Sequence, residues 1–339
     1  MAAPINRQVR LKSRPAGIPQ AEHFEFATAP VPAPRDGEFL VRNAYLSVEP
    51  AMRGWVAAVA NYSQPVGIGE VMRSFAAGEV VASRNPRFAV GDKVMGLLGW
   101  QEFAVSDGGT ITRKVAERDL PLSLSLGILG LNGITAYFGL LELGQPRPGD
   151  TVVVSTAAGA VGSAVGQIAR IAGCRSVGIA GGDVKRRLCV EAFGFDAAID
   201  YKAAGNLDDA LAAACPRGID VYFDNTAGAI SDAVMRRLNI GARVVICGTA
   251  SVASWDPPPA GPRVERHLLV KRARMQGFLV FDFQHRYEEA VARLAGWLRE
   301  GRLHYREDIL DGIEACPDAI AGLYRGENLG KRLIRLRQD

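Results

Sequence analysis

The chain is poor in the residues that disulfide and metal chemistry require: 5 cysteines and 4 histidines in 339 residues. Cys174, Cys189, Cys215, Cys247 and Cys316 are odd in number and widely spaced, with no C-x-x-C pair. Neither a disulfide framework nor a zinc cluster can be read from that pattern. No cysteine precedes residue 174, and none of His23, His267, His285 and His304 sits in a Gly-His-Glu block. A Cys/His catalytic zinc site in the first half of the chain therefore cannot be built, and no metal is expected. No run approaches the ~20 apolar residues that cross a bilayer, so no membrane partner is expected. Charge of one sign is not in excess either: 40 Lys+Arg stand against 36 Asp+Glu, a formal +4. The charges are dispersed, which argues against a nucleic-acid partner. Met1 to Pro15 is polar and basic without the apolar stretch of a signal peptide. The expected compartment is a reduced cytoplasm.

What the chain has in quantity is apolar surface and glycine. Hydrophobic residues make up 48% and charged residues 22%, the balance of a soluble globular protein that can offset the entropy of ordering. The length suggests roughly two domains of ~150 residues. Glycine, at 38 residues and without a repeat period, points to tight turns and close backbone approaches. Before about residue 130, strand-like runs such as 38–42, 78–82 and 103–105 alternate with Gly and Pro, predicting an antiparallel or mixed β domain. From Pro148 the pattern changes. Predicted strands at 151–155, 176–180, 197–200, 220–224, 243–247 and 275–280 alternate with helical patterns at 184–193, 230–238 and 286–299. Buried strands spaced by amphipathic helices predict an α/β domain with a doubly wound parallel sheet. Beyond Arg306 a helix over 317–324 and a strand over 332–335 are expected to rejoin the first domain.

The strongest chemical feature is Ala157-Ala158-Gly159-Ala160-Val161-Gly162, placed where the first strand of that sheet enters its first helix. Gly159 lets a pyrophosphate approach the backbone, Gly162 lets the helix pack on the strand, and the amides of the helix start meet the negative charge. Ala157 replaces the first glycine of the full fingerprint, so it is the strand–turn–helix context that makes a dinucleotide site the reading. NAD sites place an acid at the end of the next strand. This chain has Gly181-Gly182 there, followed by Asp183, Lys185, Arg186 and Arg187. Small residues with a cation accept a 2′-phosphate, which favours NADPH with Lys185 as the phosphate partner. Asp183, two residues late, argues the other way.

The glycine loop with Gly166-Gln167, Gly178-Ile179-Ala180-Gly181-Gly182 with Lys185, the run from Gly194 to Lys202 and Asp220-Val221-Tyr222-Phe223-Asp224-Asn225 resemble the zinc-independent medium-chain dehydrogenase/reductases. The closest resemblance is to the branch of prostaglandin reductase, plant double-bond reductases and bacterial NADPH-dependent curcumin reductase. Blocks at 45–47, 99–102, 133–139, 271–278 and 327–331 match in the same order, so the likeness covers nearly the whole chain. It implies a GroES-like β domain (1–132 and 306–339) and a Rossmann NADPH-binding domain (133–305), usually in a homodimer. It implies NADPH-dependent reduction of the C=C bond of conjugated aldehydes, ketones or quinones. It carries Lys185 and Tyr201 to the adenosine 2′-phosphate. It carries Asn225, Cys247-Gly248-Thr249, Phe278-Leu279-Val280 and Asn328 to the ribose and nicotinamide.

Hydride delivery to a β-carbon leaves charge on the substrate oxygen, which without a metal needs hydrogen-bond donors. Tyr62, in Asn61-Tyr62-Ser63, matches a tyrosine assigned to the substrate site in the curcumin-reductase-like members and is the expected donor. Met52, Trp55, Phe75, Trp100 and Trp255 are expected as apolar walls. Relatives carry Asp-Pro-Tyr-Met-Arg where this chain reads Glu49-Pro50-Ala51-Met52-Arg53. They carry Ser-Gln-Tyr-Asn after the Cys-Gly turn, where this chain has Ser251-Val252-Ala253-Ser254-Trp255 before Asp256-Pro257-Pro258-Pro259. Both departures remove a hydroxyl. Three functions stay open at this stage: enone or alkenal reductase, quinone or zinc-free alcohol/carbonyl oxidoreductase, and a nucleotide-binding structural protein with little turnover, like zeta-crystallin.

Overall fold

The computed structural model describes residues 4–58, 63–252 and 259–337. The chain divides into two units, Met1–Leu126 with Glu307–Asp339, and Gly127–Arg306.

In the first unit short strands succeed one another across Gly- and Pro-containing turns. They are β1 (Ile5–Leu11), β2 (Phe24–Pro30), β3 (Phe39–Ser47), β4 (Phe75–Ser83), β5 (Lys93–Leu97), β6 (Phe103–Ser106) and β7 (Ile111–Lys114), with a one-turn helix α1 (Met52–Trp55) after β3. β1 and β2 form an antiparallel ribbon, β3 pairs antiparallel with both β4 and β6, and β4, β5 and β7 continue the larger sheet. Aromatic residues fill its interior. Trp100 is fully buried, lies 5.5 Å from the Phe24 ring and donates its Nε1–H to the Ser47 carbonyl at 3.2 Å. An indole buried this deeply needs such a partner.

In the second unit α2 (Leu131–Phe138) precedes a strictly alternating run: β8 (Thr151–Ser155), α3 (Ala160–Ile171), β9 (Arg175–Ala180), α4 (Asp183–Arg187), β10 (Ala197–Asp200), α5 (Leu207–Ala214), β11 (Ile219–Asp224), α6 (Gly228–Met235), β12 (Leu238–Ile246), α7 (Glu265–Lys271), β13 (Arg274–Gly277) and α8 (Tyr287–Arg299). The strands lie in the order β10-β9-β8-β11-β12-β13, each pair parallel. That is the doubly wound order whose direction reverses between the first and fourth strands. Every residue of β8 is buried, as a strand covered by helices on both faces requires. The chain then returns to the first unit as β14 (Glu307–Asp311), α9 (Cys316–Arg325) and β15 (Lys331–Arg335), with β15 antiparallel to β3. Lys331 anchors that return. Its buried Nζ donates to Ser47 Oγ at 2.6 Å and meets Glu49 Oε1 at 3.2 Å.

Three elements end differently from the sequence expectation. The strand expected over 275–280 stops at Gly277, because Leu279 N–H turns to Asp282 Oδ2 and Asp282 N–H to Leu279 O, both at 3.0 Å, opening a 3-10 turn over Val280–Arg286. The helix expected over 184–193 is α-helical only to Arg187 and continues as a π turn, Leu188–Ala192. The helix expected over 230–238 ends at Met235, since Leu238 is claimed by the ladder with Ile219.

Gly166 holds the helix α3 to its sheet. A Cβ there would lie 1.9 Å from Phe195 Cζ, so the phenyl ring occupies the volume a side chain would need. Gly166→Ala is expected to destabilise the protein by about 1–3 kcal/mol through overpacking. In calorimetry this should lower the unfolding midpoint by several degrees.

Candidate cofactor site

The residues singled out in the second unit follow the carboxyl ends of its strands, from β10 at one edge to β13 at the other, with the glycine loop and Asn225 at the reversal between β8 and β11. Thr156, directly after β8, takes a left-handed conformation (φ 56°) and turns the chain into the loop that Gly159 closes as the N-cap of α3. At Gly162 a Cβ would stand 2.3 Å from the Thr156 carbonyl oxygen, so only glycine lets the first turn of α3 press against the loop. Gly159, Ala160, Val161 and Gly162 thus form the tight first turn of α3, with no side chain at either glycine. The first amides of a helix have no carbonyl partner within it, so a helix start of this kind can receive an anion.

At the neighbouring strand ends, Tyr201 N–H donates to Ala180 O at 3.1 Å, carrying the register of β9 and β10 one residue further. This brings Tyr201 and Lys202 beside Gly181. A Cβ on Gly181 would lie 3.0 Å from both Tyr201 Cε1 and Lys202 Cε. Lys202 was not anticipated as a site residue. The available signal was its place directly after Tyr201 at a strand end, but its nearness to Gly181 comes from a strand pairing that no local pattern reports. Two carboxylates in this region are engaged by their own surroundings. Asp183 pairs with Arg186 at 2.7 Å and Arg187 at 3.2 Å on α4. Asp200 accepts from Gly182 N at 2.7 Å and Lys202 N at 3.0 Å, and the Gly182 amide above all holds its carboxyl below the usual carboxylate range. Lys185 lies on α4, half-buried.

Asn225 follows β11. Its backbone N–H donates to Ser155 Oγ and its Nδ2 to the Ser155 carbonyl, each at 2.8 Å. A carbonyl can only accept, so the amide's orientation is settled and its oxygen is the remaining polar atom. Cys247 and Gly248 donate their amides to the Asp224 carbonyl at 2.8 and 3.1 Å, setting the turn through Thr249 beside Asn225. Phe278 packs edge-on to Phe223, 6.4 Å between centroids, and its Cζ would meet a Cβ on Gly139 at 2.5 Å. Half-buried, it thus packs against the interior of this unit. Leu279 and Val280, which follow β13, are exposed and half-buried, respectively.

The remaining expected residues belong to the first unit. Asn328 precedes β15 and donates Nδ2 to Gly330 O at 2.8 Å, capping its own turn. Met52 and Trp100 have no exposed surface and Trp55 is 5% exposed, with Phe75 at 6.2 Å from its ring. These side chains, expected as pocket walls, are packed as interior residues. Tyr62 and Trp255 lie outside the described residues.

This geometry defines a class: a doubly wound sheet with a glycine loop at its reversal point is a dinucleotide-binding domain. Comparison with known proteins makes the class specific. Residues 7–114 match the model of the N-terminal domain of oxidoreductase, and residues 160–296 that of the zinc-binding dehydrogenases. NADPH-dependent curcumin reductase of Escherichia coli is 42% identical over 339 residues, covering 98% of both chains. The NADP(+)-dependent 2-alkenal reductase of Nicotiana tabacum is 36% identical, again over 98% of both. The crystal structure of CurA from Vibrio vulnificus in complex with NADPH superposes with a TM-score of 0.91 at 44% identity, covering 98% of this chain and all of that one. The chain belongs to the medium-chain dehydrogenase/reductase family, in the branch of the curcumin, alkenal and prostaglandin reductases.

No thiol in this protein is prepared for nucleophilic work. Burial pushes Cys174 and Cys215 up to about 11 and Cys189 and Cys247 up to about 12, with Asp224 adding to the rise at Cys247. Burial raises Cys316 as well. Desolvation penalises the thiolate, so at pH 8 these groups stay protonated. A disulfide-exchange reagent at pH 8 is expected to titrate the cysteines slowly in the native protein, and all 5 at once after denaturation.

Proposed function

We propose that this protein is an NADPH-dependent oxidoreductase that reduces the carbon–carbon double bond of α,β-unsaturated aldehydes and ketones. The observation that carries the reading is the likeness to NADPH-dependent curcumin reductase over 98% of both chains, joined to a glycine cradle that a bare backbone alone can form. The cradle fits the cofactor: Gly159 to Gly162 would receive the pyrophosphate at the start of α3. Lys185, Tyr201 and Lys202 would receive the adenosine 2′-phosphate, the neighbouring carboxylates being held by Arg186, Arg187 and backbone amides. Asn225, the Cys247–Thr249 turn, the backbone from Phe278 to Val280 and Asn328 would serve the ribose and nicotinamide.

The bound cofactor supplies the hydride. The work of the chain is to bind, orient and polarise. Tyr62 is assigned as the donor whose hydroxyl hydrogen-bonds the substrate carbonyl oxygen as negative charge grows there. We read the reaction as metal-independent. Among the described residues no three His, Cys, Asp or Glu side chains are grouped to hold an ion, and the cysteines are buried or half-buried. The substrate is a small conjugated carbonyl compound, and neither nucleic acid nor membrane is a partner. We place the enzyme in the cytoplasm, from the sequence expectation of a reduced compartment. No helix among the described residues is long and apolar enough to cross a membrane. Homodimerisation is supported by β13, an edge strand flanked by exposed Leu269, Val270 and Phe281. An uncovered edge with apolar neighbours invites pairing with a second copy.

Three measurements test this. NADPH oxidation with an enal or enone should yield the saturated carbonyl product, whereas turnover restricted to quinones or simple ketones would reject the assignment. Lys185→Ala should weaken NADPH binding about tenfold while leaving NADH binding within a factor of about two, and equal losses would remove Lys185 from the phosphate site. Tyr62→Phe should lower kcat about a hundredfold with little change in NADPH affinity.

A further inference from the structure

The carboxyl end of β11 carries a buried carboxyl group that the proposed chemistry does not use. Asp224 is 1% exposed. Its Oδ1 accepts from the backbone amides of Thr226 and Ala227 at 2.8 and 2.9 Å, the two short contacts. The hydroxyls of Tyr222 at 3.0 Å, Thr226 at 3.2 Å and Ser155 at 3.3 Å stand further off. Its Oδ2 accepts from Ser231 Oγ. These donors come from the end of β8 (Ser155), from β11 itself (Tyr222) and from the turn and helix that follow it (Thr226, Ala227 and Ser231), and they replace the water that burial removes. Ala227 adds a second observation. It has φ 60° and ψ −164°, a conformation close to glycine-only territory that persists only where the surroundings over-determine it. The bond from its amide to Asp224 is one such determinant.

Ser155 makes the link to the cofactor residues. The β8–β11 ladder has its last register pair at Val154 and Phe223. Beyond it the two strands are joined by the Ser155 hydroxyl, which donates to Asp224 and accepts the Asn225 backbone amide, and by the Ser155 carbonyl, which takes Asn225 Nδ2. On the other side of β11 the backbone of the same segment holds the next turn. Asp224 O takes Cys247 and Gly248, and Asn225 O takes Ala250 at 3.2 Å.

We propose that Asp224 and Ser155 act together as positioning residues for the cofactor, fixing the Asn225 amide and the turn beside it before the nucleotide arrives. The inference rests on the reading that Asn225 serves the nicotinamide half. Preorganisation of this kind shows in affinity, because a loosened Asn225 must be reordered on binding. It must also act through Asn225 rather than through stability in general.

A double-mutant cycle on NADPH dissociation constants, read by cofactor fluorescence in the full-length enzyme, separates the cases. Ser155→Ala should weaken NADPH about five- to tenfold in the native background and by less than about twofold in the Asn225→Ala background. Equal losses in both backgrounds, or unchanged affinity in Ser155→Ala when Asn225→Ala is weakened, would overturn the positioning role and leave the cofactor reading standing. Unchanged affinity in Asn225→Ala would overturn the cofactor reading of Asn225 and this inference with it. Should Ser155→Ala fail to fold, Asp224→Asn enters the same cycle. It keeps an oxygen for the Thr226 and Ala227 amides and offers an amide to Ser231, and the same non-additivity is expected.

Discussion

A carboxylate sealed from water must have its hydration replaced by protein donors, and the structure of the second unit's working end follows from how that is done for Asp224. The residue closes the central strand of a six-stranded parallel sheet, where backbone groups begin to run out of ladder partners. Its side chain gathers the turn into α6 and the Ser155 hydroxyl, and its carbonyl gathers the turn after β12. Between β8, β11 and β12 the carboxyl end of the sheet is knitted around this one buried carboxyl group. Tyr222 shares that cost: burial, and then the Asp224 charge, keep its phenol protonated while it donates to the carboxylate.

Elsewhere in this unit carboxylates are handled in the opposite manner. Asp183 and Asp200 are near the surface and satisfied locally, one by arginines on its own helix and the other by amides of the turns it joins. The doubt that Asp183 raised in the sequence concerns a carboxylate that here pairs with Arg186 and Arg187. An acid two residues past the strand end turns back onto α4, while the register of β9 and β10 carries Tyr201 and Lys202 to Gly181. In the first unit the corresponding device is a buried lysine. Lys331, its pKa lowered by burial, is held by Ser47 and Glu49 and so fixes the strand that follows Asn328.

Much of this was legible without coordinates. The apolar strand at 151–155, the glycine loop and the amphipathic spacing of α3 are local patterns, and local patterns set by backbone sterics and burial can be read along the chain. The π turn after Arg187 and the stop of β13 at Gly277 were not, since both depend on hydrogen bonds to groups whose positions come from the fold. Trp100 and Met52 show the limit for side chains. An aromatic or methionine suited to a pocket wall is equally suited to an interior, and only packing decided that these fill the first unit.

The sequence by itself determined the class of each unit, the place of the glycine-rich turn, the scarcity of zinc-ligand types and the family. These follow from residue type, periodicity and order along the chain. Tertiary structure decided which polar groups meet. Ser155 and Asn225 are 70 residues apart and Lys202 is 21 residues from Gly181, and the hydrogen bonds and contacts between such groups exist only once parallel strands are in register.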